Sequence, residues 1–183
     1  MNILLLGIGN LLLSDEAVGV RVIETLQRHY VFTPQIEIVD GGTAGMELLE
    51  TMADRDHIIV ADAVLTGSEP GTVTVLRNEQ VPALFTRKLS PHQLGLADVL
   101  MALHLTDEFP QQLTLVGIEP QSLAPAIALS ACVQQALAPA VAQIIALLRT
   151  SGIVVREKTP QENAVSLAGD LAAPLALNMA NWR

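Results

Sequence analysis

The chain has 183 residues, of which half are hydrophobic and only 3% aromatic, so aliphatic side chains must fill its core. A formal net charge of −9 argues against a nucleic-acid partner, because phosphates require a basic surface. The lone cysteine, Cys132, excludes an internal disulfide and fits a reducing compartment. We expect no signal peptide, and no apolar run near the roughly 20 residues of a membrane span. The composition therefore predicts a cytoplasmic protein that binds neither nucleic acid nor membrane.

The N-terminal segment combines a buried strand at residues 3–6, a glycine turn at 7–10 and an amphipathic helix that begins near Asp15 and Glu16. Open α/β sheets place their ligands where a strand, a turn and a helix meet in this way. A dinucleotide is not expected, because Leu12 stands where the fingerprint needs its third glycine and two carboxylates would repel a pyrophosphate. The edge of the sheet is better suited to a cation.

Residue patterns also predict how this first helix packs. Ser14 is expected to cap it, and Gly19 to allow close packing on the strand. Its buried face is expected to carry Val18, Val22, Ile23 and Leu26. A second strand at 36–39 ends at Asp40, whose carboxylate is expected to bind the amides of the following glycine turn, and a helix through 46–49 follows.

The remaining strands predict a mixed sheet. A third buried strand at 57–61 ends at Asp62, and the strand at 72–76 follows too soon for a parallel crossover, so we expect it to be antiparallel. A fifth strand spans 113–118, and a helix from about 131 to 148 contains Pro139, which should kink or divide it. The predicted fold is a three-layer α/β/α domain with a twisted, mostly parallel five-stranded sheet. We expect it to occupy residues 1–156, with 157–183 as a mobile extension.

The segment SPHQ at 90–93 specifies a helix start. Ser90 is the predicted N-cap, Pro91 takes the first helical position and Gln93 completes a capping box. The buried face of this helix is expected to carry Leu96, Val99, Leu100 and Leu103. His92 then lies in the first turn, where the helix dipole favours the neutral imidazole.

Topology brings three candidate ligands to one edge of the sheet: Glu16 after the first strand, Asp62 at the end of the third, and His92 at the start of the later helix. Two carboxylates and one imidazole suit a divalent metal such as nickel or zinc. Each residue also has a structural interpretation: a helix-dipole partner, a turn-binding carboxylate and a structural histidine. His29, His57 and His104 are weaker candidates, and the sequence has neither a G-x-S-x-G elbow nor an H-E-x-x-H motif.

Four blocks in order carry a family resemblance: GIGNLLLSDEAVGV, VDGGTAGMELL, ADA at 61–63 and SPHQLGLADVL. Over about residues 1–152 the chain resembles the hydrogenase maturation endopeptidases, which process [NiFe]-hydrogenase large subunits. The resemblance implies a cytoplasmic endopeptidase that removes the C-terminal peptide of the large-subunit precursor after nickel insertion. The family's metal-binding trio falls on Glu16, Asp62 and His92, which would also serve catalysis.

On this interpretation the nickel is carried by the substrate, zinc or cadmium can replace it in the free enzyme, and the protein acts as a monomer. Two alternatives remain open at this point. One is a maturation chaperone that checks for nickel without cutting the precursor. The other is a peptidyl-tRNA hydrolase, which also begins with a strand and a G-x-G-N turn, although a charge of −9 is poorly suited to RNA.

Overall fold

The computed structural model describes residues 1–85 and 91–162, except for the side chains of residues 85 and 91–94. Short 3-10 turns at Ser14–Ala17 and Met46–Leu48 precede two of the helices. The helices are α1 (Val18–His29), α2 (Leu49–Met52), α3 (Gln80–Phe85), α4 (Pro91–Leu105) and α5 (Ala131–Thr150). The strands are β1 (Ile3–Ile8), β2 (Tyr30–Thr33), β3 (Glu37–Gly42), β4 (His57–Ala63), β5 (Val73–Arg77), β6 (Gln112–Ile118) and β7 (Val154–Glu157).

The main sheet has five strands in the order β3-β1-β4-β6-β5. The first four are parallel, and β5 runs antiparallel to β6. The predicted mixed sheet is therefore confirmed, including the antiparallel strand that the short connection after β4 required. Because β1 and β4 are neighbours at the centre, the segments that follow them meet at the same edge of the sheet.

Alternate side chains of the central strands enter two separate hydrophobic clusters, one on each face. On one face Leu5 packs with residues of α1 and α5, including Ile23 and Ile144. On the other, Leu4 packs with Met52 of α2 and with residues of α4. Helices thus cover both faces, as the three-layer prediction required. Both predicted helix faces are also buried: Val18, Val22, Ile23 and Leu26 on α1, and Leu96, Val99, Leu100 and Leu103 on α4.

Glycines let α1 approach the sheet at backbone distance. A Cβ on Gly19 would overlap the carbonyl oxygens of Ile8 and Ala61, at the carboxyl ends of β1 and β4. Gly9 adopts φ +145°, and a Cβ there would overlap the carbonyl oxygen of Glu16. The predicted close packing at Gly19 is confirmed. It brings the turn that carries Glu16 into contact with the strand ends.

Two local predictions need correction. Ser14 does not cap α1: it lies in the 3-10 turn at φ +50°, and its Oγ donates to the carbonyl oxygen of Ala124 at 2.6 Å. Because the hydroxyl binds this carbonyl, which is distant in sequence, it does not bind the amides at the start of α1 as a cap would. Pro139 does not divide the C-terminal helix, because α5 continues through it from Ala131 to Thr150.

By length and composition alone, α5 could cross a membrane. The expectation that no segment approaches a membrane span is therefore wrong by this measure. Core helices of soluble proteins satisfy the same criterion. Seven residues of α5 are buried, and they contribute to the cluster that covers one face of the sheet: Val133, Ala136, Ala140, Val141, Ile144, Ile145 and Leu148.

A second, two-stranded sheet was not predicted. β2 and β7 pair antiparallel, so the chain after α5 returns to the end of α1. The amide of Lys158 then donates to the carbonyl oxygen of His29 at 2.7 Å, and its Nζ to that of Gln27 at 2.7 Å. β7 ends one residue beyond the predicted boundary at 156, and residues 163–183 of the predicted extension lie outside the described residues. The division into domain and extension stays a prediction.

The buried His57 should make the fold sensitive to acid. Its Nε2 lies 2.9 Å from Thr114 Oγ1, and burial lowers the pKa of this imidazole. Below the unfolded-state pKa of about 6.5, the unfolded chain binds a proton that the folded chain excludes, so the free energy of unfolding falls as pH drops from there. Urea titrations between pH 7.5 and 5 should show a smaller loss for His57→Gln than for wild type. The exposed His29→Gln is the control, and an equal loss in all three proteins would contradict this role.

Candidate active site

Two of the three predicted site residues lie together at the carboxyl edge of the sheet. Glu16 belongs to the 3-10 turn between β1 and α1, and Asp62 is the sixth residue of β4. The turn packs against β4, and both side chains are buried, with Glu16 6% and Asp62 3% exposed. Adjacent strand ends and the close packing of α1 therefore place two acidic groups side by side in the interior.

Burial raises the pKa of Asp62 well above its usual range. The amide of Ala63, which donates to this carboxylate, opposes the rise, and the negative charge of Glu16 adds to it. Two carboxylates that share a buried site cannot both ionise without cost, so one tends to hold a proton. A divalent cation can replace that proton and neutralise both groups. The pair is thus chemically suited to bind a cation or to accept a proton.

The third predicted residue, His92, is the second residue of α4, and its side chain lies outside the described part of the structure. Ser90, the predicted cap, lies outside it as well. The backbone does locate the start of the helix. One turn after His92, a Cβ on Gly95 would lie 3.2 Å from the Cα of Gly45, in the loop that follows β3. The N-terminal part of α4 therefore packs on a loop at the same edge of the sheet as Glu16.

Asp15 has a structural role that the sequence did not reveal. Its buried carboxylate accepts hydrogen bonds from the amides of Gln121, Ser122 and Ser130 at 2.7–3.0 Å, and from Ser130 Oγ at 2.9 Å. Burial alone would raise the pKa of Asp15, but these hydrogen bonds outweigh it and lower the pKa below its usual value. Asp15 therefore fixes the loop between β6 and α5. Its partners lie more than a hundred residues away, so no local pattern could have identified them.

Glu119 likewise anchors a second loop, the connection between β4 and β5. It follows β6, and its carboxylate accepts from the amide and hydroxyl of Thr66 at 2.7 and 2.6 Å and from the amide of Gly67 at 3.2 Å. Burial favours the protonated form, yet these bonds hold the pKa of Glu119 below its usual value. The connection between β4 and β5 is thereby anchored beside the strand that carries Asp62.

Structural contacts account for several other candidate residues. The carboxylate of Asp40 accepts from the Gly42 amide at 2.8 Å, which confirms its predicted role in the glycine turn. His57 opens β4 at the opposite edge of the sheet, and the ring of His104 stacks on Phe109 with centroids 3.8 Å apart. Among the described side chains, no three histidine, cysteine or acidic groups are placed to hold a metal ion. The third ligand of the predicted trio is the one whose side chain is not described.

Comparison with known proteins places this fold and site in a family. Residues 20–147 match the hydrogenase maturation protease family. The hydrogenase 2 maturation protease of Escherichia coli (strain K12) is 56% identical over 163 residues, which cover 88% of this chain and 98% of that protein. The hydrogenase expression/formation protein HupM of Azotobacter chroococcum mcd 1 is 40% identical over 163 residues, covering 88% of this chain and 77% of that protein.

Solved structures agree. The hydrogenase maturating endopeptidase HybD from E. coli superposes with a TM-score of 0.84 at 56% identity, covering 86% of this chain and 98% of that one. A [NiFe] hydrogenase maturation protease from Thermococcus kodakarensis shares the fold with a TM-score of 0.68 at 22% identity, over 80% of this chain and 99% of that one. The chain belongs to the hydrogenase maturation protease family, as its sequence blocks predicted. This assignment favours the protease over the peptidyl-tRNA hydrolase alternative.

Asp15→Asn should destabilise the protein, because an amide offers one acceptor oxygen where the carboxylate uses both. We expect a loss of about 2 kcal/mol in the free energy of unfolding, the usual cost of breaking charged hydrogen bonds in a buried site. Since folding lowers the pKa of Asp15, its stabilisation should be present above the unfolded-state value and disappear as pH falls through the folded-state value. Urea unfolding measures the first effect, and hydrogen exchange at residues 121–130 locates it. The exposed Asp54→Asn is the control, and unchanged exchange in that loop would contradict the role of Asp15.

Proposed function

We propose that this protein is the endopeptidase that removes the C-terminal peptide of a [NiFe]-hydrogenase large-subunit precursor after nickel insertion, in the cytoplasm and as a monomer. In this proposal Glu16, Asp62 and His92 recognise the nickel that the precursor carries. The nickel is thus part of the substrate. Zinc or cadmium can occupy the same ligands in the free enzyme.

The observation that carries the proposal is the buried pair Glu16 and Asp62. Neighbouring buried carboxylates destabilise a fold, so a pair kept at the ligand-binding edge of an α/β sheet is better explained by function than by packing. The contrast with Asp15 supports this interpretation, because the bonds to Asp15 lower its pKa, whereas the surroundings of Asp62 raise its pKa. Membership of the hydrogenase maturation protease family supplies the substrate class.

The three proposed ligands have distinct chemical roles. The carboxylates of Glu16 and Asp62 hold the positive charge of the substrate's metal at a fixed place, and the imidazole of His92 adds a neutral nitrogen ligand. Binding there orients the peptide bond that is to be cut. One carboxylate of the pair then accepts the proton of the attacking water as general base.

The competing function is a maturation chaperone that binds the nickel-loaded precursor without cutting it. Purified protein mixed with nickel-loaded precursor separates the two functions by mass spectrometry. A shortened large subunit supports the protease. An intact large subunit in a stable complex supports the chaperone.

Removing one member of the trio should abolish processing while leaving the fold intact. We expect Asp62→Asn to reduce cleavage of nickel-loaded precursor at least ~100-fold, the lower range for loss of a general acid or base. The melting temperature should be unchanged or raised, because a neutral amide replaces a carboxylate whose charged form is disfavoured there. Glu16→Gln and His92→Ala should also lose cleavage.

Asp40→Asn is the matched control, since it changes an acidic side chain at the same edge that binds only a turn amide in the described structure. If Glu16 serves only a helix dipole, Glu16→Gln will show modest destabilisation with cleavage intact. Full activity in all three trio variants would exclude the nickel-recognition mechanism.

Cadmium should bind the free protein weakly at the same residues. Titration calorimetry with wild type should detect one site, which the trio forms. Its affinity should be low, because two carboxylates and one imidazole lack the thiolates of a closed structural site. Affinity should fall at lower pH, since protons compete for Asp62 and His92. Asp62→Asn should weaken binding by at least the roughly 10- to 100-fold that loss of an outer-shell partner costs. Equal affinity in Asp62→Asn and wild type would place the metal elsewhere.

A further inference from the structure

Exposed aliphatic side chains lie on two neighbouring loops beside the proposed active site. Leu11 and Leu12 lie between the glycine turn and Glu16 and are 37% and 65% exposed. Leu123 and Ile127, in the loop after β6, are 38% and 71% exposed. Among the described side chains, these four make up nearly half of the exposed large hydrophobic residues. Neighbouring exposed apolar residues mark interaction sites more often than isolated ones do.

Backbone hydrogen bonds hold the two loops side by side, and we call their four exposed aliphatic residues, Leu11, Leu12, Leu123 and Ile127, the apolar rim. The amide of Ala126 donates to the carbonyl oxygen of Leu12 at 3.0 Å, and the amide of Ser14 donates to that of Ala126 at 2.8 Å. The carboxylate of Asp15 ties the same loop down at both ends, as described above. The rim is therefore held in place, and its aliphatic side chains are held out of the core.

We propose that the apolar rim binds the precursor's peptide segment next to its metal centre, through aliphatic side chains of that segment. This inference rests on the function proposed above and adds a docking surface to the same site. Charge supports the choice of occupant. The rim adjoins Glu16, which forms a buried acidic pair with Asp62, so a partner with a positive centre matches the charge of this edge.

The nickel-loaded precursor of the proposed function carries such a positive centre, and aliphatic side chains beside its metal would cover the rim. A second copy of this chain fits less well, because its charge of −9 would bring like charge against an acidic edge. Aliphatic contacts would supply affinity that does not depend on the metal. The acidic pair and His92 would then decide whether the bound segment is cut.

The test uses the full chain and nickel-loaded precursor, with binding and cleavage measured separately. The double variant Leu12→Ser/Ile127→Ser removes the two most exposed side chains of the rim. We expect its Kd for the precursor and its KM to rise at least about tenfold, the effect of losing a single buried anchor, with kcat near wild type. Leu105→Ser at the end of α4, where the side chain is 79% exposed, is the matched control and should change neither. Because all three positions are exposed, the melting temperatures should match.

Each outcome has a definite meaning. Cleavage by wild type with an unchanged Kd and KM in the double variant overturns the docking surface and leaves the proposed protease function standing. If wild type binds the precursor without cutting it and the double variant binds more weakly, the docking surface is supported and the protease function is overturned. Failure of wild type to bind the precursor overturns both. A dimer in sedimentation velocity that the double variant abolishes would assign the rim to self-association and overturn the inference.

Discussion

The close contact between Gly19 and the ends of β1 and β4 is the constraint on which the site depends. A side chain at this position would overlap the carbonyl oxygens of Ile8 and Ala61, so α1 lies directly on the sheet backbone. Glu16 comes three residues before Gly19, and Asp62 follows Ala61. The same contact that seats the helix therefore fixes the distance between the two acids. Gly9 tightens it further, because its lack of a Cβ makes room for the backbone of Glu16.

Among the described residues, four acidic side chains are buried at this edge, and their surroundings give them two kinds of role. Asp15 and Glu119 each accept several bonds from loop amides and hydroxyls, which lower their pKa values and make them favourable anchors. Burial raises the pKa of Asp62, the charge of Glu16 adds to the rise, and the amide of Ala63 only partly opposes it. An anchoring carboxylate adds stability, whereas a carboxylate beside another one reduces it. Burial alone would not have distinguished these roles, because all four residues are nearly inaccessible.

Much of the fold could be predicted because it depends on short-range patterns. Apolar runs located the five strands of the main sheet, and the length of the connection before Val73 gave the direction of β5. The placement of Glu16 near Asp62 followed from topology. Long-range contacts could not be inferred in this way. Ser14 looked like a cap from its neighbours alone, yet its hydroxyl binds Ala124, and the β2–β7 pair joins segments more than a hundred residues apart.

The 3-10 turn explains how consecutive residues can serve different purposes. With about three residues per turn, neighbouring side chains point in widely different directions. Asp15 is directed to the loop at 121–130, and Glu16 to the end of β4. The segment Ser14–Ala17 thus joins the loop that carries half of the apolar rim to the acid that would face the metal. A substrate that shifted this loop would displace Asp15 and, through the 3-10 turn, Glu16. A rigid turn is therefore required if Glu16 is to keep its position while the substrate binds and is cut.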